Sequence, residues 1–381
     1  MQNAPMHEAK PHVTRSFAFD SDAMPDAGRM VERHRAWWSN DCIDRPVVHL
    51  KFPREKPLGP DPVWPERGGE GVGRHVNPAF RLALTEYTLN RTRYFGDTIP
   101  SISPGLNTAY TAALARATVQ YTNSDWIEPT VEDWDETPAP AFDPDEPLMK
   151  RVIDTSRILA ENSRGRYIVE TPSYMDCVTT MSQMRGTEAF SLDLVDAPEK
   201  VVRYRDRFVD AFLESAAFWN EFIRARGYPG TTNWTGILSP DGGNQIQCDY
   251  CVMIGPEMFR WLVMPEMRRE AAFFGNVVYH LDGPGEIQHL DALLEIPEVK
   301  AVQWVPIAGL NKPTSGHWIP LLRRIQDAGK ALQVYARADE LELYREHLKP
   351  EGLFLHFGFT QQPALKSEAD CEALLRRIER W

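Results

Sequence analysis

The chain has 381 residues, 43% hydrophobic and 25% charged, an ordinary globular balance with enough length to bury a core without disulfides or metal. Asp and Glu number 54 against 42 Lys and Arg, a net charge of −12, which excludes the broad basic surface that coating nucleic acid requires. Five scattered Cys make no disulfide scaffold, no stretch approaches 18 apolar residues, and the opening MQNAPMHEAKPHVTRS lacks the apolar segment of a secretory signal, so a cytoplasmic protein without membrane contact is expected.

Residues 1–45 read as a polar tail and a helical extension, and 46–381 as one domain. VVHLKF (47–52) is the first strand candidate. The Pro- and Gly-crowded stretch 53–78 is too long for a plain connection and is expected to cover the site as a lid, with Trp64 as its apolar anchor. Its GGEGVG run is read as a flexible loop, since no GK[ST] follows. TIPSIS (98–103) is a second strand, and 123–147, with Trp126 and Trp134, a second long loop.

From about residue 166 the pattern becomes regular. The strands expected are YIVET (167–171), TTNWTG (231–236), NVVYHL (276–281), AVQWV (301–305), ALQVYA (331–336) and LFLHFG (353–358). Helices are expected over 175–185, 198–226, 256–273, 286–294, 316–328, 339–348 and 366–380, several opened by Pro and closed by Gly. Eight strand–helix units predict an α/β fold of the (β/α)8 TIM-barrel type with long loops over its mouth. No Gly-rich dinucleotide turn supports an open doubly wound sheet.

Barrel chemistry gathers at the C-terminal ends of strands. Glu170 and Tyr174 follow the third strand, and Trp234 lies on the fourth. His280 and Asp282 end the fifth, Gln303 and Trp304 the sixth, Tyr335 and Arg337 the seventh and His356 the eighth. Residues two apart in a strand share a face, so His280 and Asp282 point the same way. The pair fits three roles: ligands for a divalent metal, an acid–base pair whose carboxylate fixes the imidazole tautomer, or a polar pair closing the turn before Gly283. Cys248-Asp-Tyr-Cys251 lacks the second Cys pair of a structural zinc site and reads as small buried residues around a functional Asp249. Trp234 and Trp304 are candidates to wall a substrate pocket.

The segments MRGTEAFSLDLVDAPEKV (184–201), CDYCVMIGPEMFRWLVMPEM (248–267), YHLDGPGEIQHLDALLEI (279–296) and GLFLHFGF (352–359) carry a resemblance to the uroporphyrinogen decarboxylase superfamily. That superfamily includes corrinoid- and coenzyme M-dependent methyltransferases and is related to cobalamin-independent methionine synthase. The resemblance covers about residues 160–381. In its methyltransferases a His-x-Cys-Gly motif and a late Cys hold zinc. Here His280-Leu-Asp282-Gly283 occupies the first motif, and His356 falls close to the position of the second. The Arg-rich propionate-binding signature of the decarboxylases is echoed only by Arg45-Pro46 and Arg54.

The resemblance implies metal-assisted methyl or one-carbon transfer on a small organic molecule, with a corrinoid protein as partner and a homodimer as the assembly. His280, Asp282 and His356 would bind a divalent metal, zinc foremost. Asp249 and Tyr174 would orient substrate or handle a proton beside His280 and Asp282. Glu170, Trp234, Trp304, Tyr335 and Arg337 would contact substrate. Two alternatives stand beside this reading: a cofactor-free decarboxylase or lyase with His280 as acid and Arg337 as carboxylate anchor, and a non-catalytic protein that binds a corrinoid or tetrapyrrole.

Overall fold

The computed structural model of the chain describes residues 17–20, 24, 26–65, 76–107, 109–121, 125–306, 315–358 and 362–381. The GGEGVG run therefore lies outside the described residues. Seven strands form one sheet: β1 (Val47–Pro53), β2 (Thr92–Gly96), β7 (Asn244–Ile246), β8 (Val277–Asp282), β9 (Val299–Val305), β10 (Ala331–Tyr335) and β11 (Leu353–His356). Their order is β2-β1-β11-β10-β9-β8-β7. Every neighbouring pair is parallel except β1 with β2. The first strand thus pairs with the last, as the expected barrel requires.

The ring of ladders is not closed. β3 (Ser101–Ile102) and β6 (Ile168–Val169) form a separate parallel pair, and β4 (Val119–Tyr121) and β5 (Asp125–Ile127) a separate antiparallel one. Beyond β6, Thr171 N donates to Thr232 O, and Asp97 N to Val48 O prolongs the β1–β2 ladder. The strand expected at 231–236 does not form. Asn233 Oδ1 accepts from both N and Oγ1 of Thr235, a side-chain turn that diverts the backbone from a ladder. Thr231 alone bridges, to Ser239, and the strand comes later, at 244–246. A closed eight-stranded barrel is therefore corrected to a mixed α/β fold around a seven-stranded, mostly parallel sheet.

The sheet's two faces are filled differently. Val47, Val278, Ala301, Ala331 and Phe354 cluster with Ile237, Trp37 and Trp38. The two Trp belong to α1 (Ala27–Trp38), which plugs the end where the parallel strands begin. Each indole N–H reaches a backbone carbonyl, Trp37 that of Leu332 and Trp38 that of Leu238. Arg45 is fixed nearby, donating to Asp97 at 2.6 Å. Asp97 also accepts from Arg33 and from Val48 N. The echo of a propionate-binding arginine is thus a buried ion pair between Arg45, just before β1, and Asp97, just after β2. The opposite face, including Val48, Leu281, Val302, Leu332 and Leu355, packs into the main core under the helices.

Those helices include α2 (Pro78–Arg91), α5 (Cys177–Arg185), α6 (Thr187–Asp196), α7 (Pro198–Ala225) and α11 (Ser315–Asp327). The single helix expected at 256–273 is two, α8 (Pro256–Leu262) and α9 (Met264–Phe274), because Pro265 begins a new first turn. Trp64 packs against Phe80 and Tyr87 of α2, and Arg81 of that helix donates to Ser103 O beyond the end of β3. Among the described residues, no helix is long and apolar enough to cross a membrane.

Candidate functional site

Parity along the strands builds the site. Val47, Phe354, Gln333, Gln303 and His280 stand in one register row across β1, β11, β10, β9 and β8. Two residues further along the same strands come His49, His356, Tyr335, Val305 and Asp282, so the same face turns polar toward the C-terminal ends. Amides and imidazoles in the middle of apolar strands would be costly to bury unpaired, and here they pair with one another.

The pairing fixes a tautomer. Thr235 O can only accept, and it takes Gln333 Nε2 at 3.0 Å. The oxygen of Gln333 then faces Gln303, whose Nε2 donates to it. The oxygen of Gln303 faces His280 Nδ1 at 2.5 Å, so that nitrogen must carry the proton. Nε2 of neutral His280 is left with its lone pair. A second chain runs from Trp234, whose ring edge meets His280 at 4.9 Å and whose Nε1 donates to Gln245 at 3.1 Å. Gln245 donates to Gln247, which lies 3.5 Å from Asp249.

Electrostatics divide the site in two. On one side, burial lowers the His280 pKa, with Asp282 and Gln303 opposing, so its neutral form prevails at pH 7. Burial, and then Asp282, raise the Asp249 pKa to about 6. Tyr335 is raised by burial and by Asp282. On the other side, His49 and His356 stack, and burial lowers both, His356 to about 3. Glu170 accepts from Ser101 Oγ at 2.7 Å, and burial raises its pKa against the fields of Lys51 and Arg81.

The expected site residues therefore separate. His280, Asp282, Asp249, Trp234 and Tyr335 come together, linked by these bonds and fields. His280, Asp282 and His356 do not form one compact donor set. Among the described residues the only trio of His, Cys, Asp or Glu with ligand atoms all within 4.8 Å of one another is Cys177, Glu266 and Glu270. The reason is topological: Asp282 ends β8 and His356 ends β11, roughly 14 Å apart along the sheet at the usual strand spacing. A single zinc does not fit that trio as placed. Trp304 has the parity opposite to Gln303, so it faces outward and packs on Trp318 of α11 instead of walling a pocket. Arg337 is held by Asp339, with Nε 3.0 Å from its carboxylate. Tyr174 is buried between Tyr110 and Phe212, under the helices.

Gln245, Gln333, His49 and Arg81 were not expected site residues, whereas Gln303 was expected among the polar residues that end the sixth strand. Gln333 and His49 carried a legible signal, a polar side chain inside an apolar strand at the parity of Gln303 or His356, while Gln245 sits in a short polar strand that no apolar run announces. Cys248 and Cys251 are free, buried thiols with raised pKa values, which fits the expected filling role.

Comparison with known proteins gives the fold a relative. No protein-family model matches the chain, and no curated protein matches it in sequence. Among solved structures it is similar to a methyltransferase from Methanosarcina mazei, with a TM-score of 0.57 over 92% of this chain and 98% of that one. Sequence identity is 12%, so the likeness is one of fold. The fold is thus methyltransferase-like, shared along nearly the whole length of both chains.

Proposed function

We propose that the chain is an enzyme of the uroporphyrinogen decarboxylase superfamily that transfers a methyl or other one-carbon group between small organic molecules at the strand ends around His280. The observation that carries this is the fixed His280 tautomer: a neutral imidazole with a free Nε2, held beside Asp282 and Asp249. The likeness to a methyltransferase fold supports the group transferred. The barrel remains the architecture this reading invokes, with its missing ladders replaced by loops.

The chemistry follows from the protonation states. His280 Nε2 takes the proton from an acceptor hydroxyl, thiol or amine. The acceptor's heteroatom forms a bond to the methyl carbon as the donor's heteroatom–carbon bond breaks. Asp249, with a pKa near 6, returns a proton to the leaving heteroatom. Trp234 and Tyr335 flank the reacting groups, and a corrinoid carried by a partner protein is a candidate exchange partner. No step is assigned to a metal, because the proposed donor trio is not compact. The lyase reading is disfavoured by two observations: burial keeps His280 neutral, which suits a base, and Arg337 is engaged by Asp339.

The test is incubation with carbon-13-labelled O-, N- and S-methyl donors and thiol acceptors, with and without a corrinoid protein, followed by NMR. A labelled methyl product that disappears in His280→Ala is expected. Release of carbon dioxide from carboxylated substrates, with no methyl product, would replace this reading by the lyase one.

A further inference from the structure

A second polar cluster lies away from the strand-end site, under the helices. Cys177 opens α5, and Glu266 and Glu270 lie one turn apart on α9. Cys177 is 0%, Glu266 1% and Glu270 3% exposed. The Cys177 sulfur and one oxygen from each Glu all lie within 4.8 Å of one another. Glu266 Oε1 accepts from Cys177 N at 2.5 Å, but Glu266 Oε2 has no partner, nor does Glu270 Oε1. Asp176, next in sequence, caps α5 through Oδ1, and its buried Oδ2 is likewise unpartnered.

This is an excess of negative groups with little to balance it. Glu266, Glu270 and Asp176 lie within one another's fields. Two cations reach them with their fields, Arg205 and Arg269, and both are engaged elsewhere, Arg205 by Leu262 O and the Asp206 carboxylate and Arg269 by Asp206 O and the Asp210 carboxylate. Buried unpaired carboxyl oxygens cost free energy unless a proton or a cation meets them. The Tyr174 hydroxyl also borders Glu270, and it cannot neutralise a carboxylate.

We propose that Cys177, Glu266 and Glu270 bind a divalent metal ion, with its remaining position open to a water molecule. Three converging donors, closed off from solvent, match the pattern of a structural site. The thiolate selects a zinc-type ion over magnesium or calcium, which favour all-oxygen shells. Bound there, the ion would tie the start of α5 to α9. It would also bring positive charge to the buried carboxyls of Glu266 and Glu270, each of which has an unpartnered oxygen. The proposal is independent of the group-transfer reading, because none of these three residues belongs to the strand-end site.

The experiment uses the full chain, loaded with zinc chloride, gel-filtered and assayed for metal. One zinc per chain is expected in the wild type and in His280→Ala. A fall of about tenfold or more is expected in Cys177→Ser and in Glu266→Gln/Glu270→Gln. Cobalt loading should give a thiolate-to-cobalt absorption band. Cys177→Asp, which keeps an anionic ligand and guards against misfolding, should retain the metal and lose the band. Wild-type zinc below about a tenth of an ion per chain would overturn the proposal, the cluster then being held by shared protons. Metal lost in His280→Ala but kept in Cys177→Ser would overturn it too, by placing the ion at the strand ends.

Discussion

His49 and His356 lie face to face, ring centroids 4.2 Å apart and planes within 8° of parallel. They sit directly opposite each other in the parallel ladder of β1 and β11. Gly236 makes room for the pair: at φ +72°, an added Cβ would stand 2.6 Å from His49 ring atoms. Two imidazolium ions would repel at this distance, and burial, which lowers the pKa of both rings, keeps the stack neutral at pH 7.

The stack should make stability depend on pH. Burial lowers the folded-state pKa of His356 to about 3, against an unfolded value near 6.5. Between those values the unfolded chain binds more protons, so the stabilisation is fully present above about pH 6.5 and is lost as pH falls toward 3. At pH 5 the loss from His356 alone is about 2 kcal/mol. Buried carboxyls with raised pKa values act in the opposite direction, so the comparison must be differential. Urea unfolding at pH 7 and pH 5 should show a larger drop for the wild type than for His356→Gln, by about that amount. Equal drops would mean the stack carries no such linkage.

The glutamine relay predicts a tautomer and a cost. Gln303→Leu removes the acceptor for His280 Nδ1–H and strands a buried donor, which should cost about 1–3 kcal/mol in stability. It should also lower turnover by about 10–100-fold, since the imidazole loses its orienting partner. Nitrogen-15 NMR of the wild type should show Nδ1 protonated and Nε2 bare at pH 7. An Nε2–H tautomer would reverse the assignment of His280 Nε2 as base.

Much of this fold was legible because apolar runs and Gly/Pro punctuation report buried strands and helix ends. VVHLKF, AVQWV, ALQVYA and LFLHFG all form strands, at or within a few residues of their expected bounds. The failure at 231–236 has a local cause: Asn233 bonds its own turn, and neighbouring threonines disguise it as a β-run. The strand that replaces it, Asn244–Ile246, is short and polar because Gln245 faces the relay. At the site, strand periodicity placed His280 with Asp282. Asp249 and Trp234 join them from segments whose proximity depends on folding. Periodicity could not say that two strands separate Asp282 from His356, since distance across a sheet is set by strand order. It could, however, have rejected Trp304, whose parity is opposite to that of Gln303.

Asp97 tests the anchoring of α1. Its carboxylate takes Arg45, Arg33 and Val48 N, and it is 1% exposed. Asp97→Ala leaves Arg45 buried without its partner, which should destabilise the chain by about 3–5 kcal/mol. The tautomer of His280, at the other end of the strands, should be unchanged by NMR in whatever fraction stays folded. Loss below about 1 kcal/mol would show that Arg45 finds solvent or another acceptor.

The acid assigned to Asp249 can be moved by its neighbour. Burial is the larger cause of its raised pKa, and the like charge of Asp282 adds to it, reaching about 6. If Asp249 must be protonated to supply the leaving heteroatom, kcat/KM falls as pH rises through that value. Asp282→Asn removes the like charge while keeping the size of the side chain. The Asp249 pKa then drops, and the descending limb should shift to lower pH, so that activity at pH 6.5 falls more than activity at pH 5. Asp249→Asn should abolish the limb together with most turnover. The direction of the shift does not by itself separate the roles, because the Asp282 carboxylate also raises the pKa of His280, so that its removal lowers both groups. Persistence of the limb separates them: a limb that survives in Asp249→Asn, and moves down when Asp282→Asn is added, would belong to the His280 cation and would exchange the roles of acid and base between Asp249 and His280.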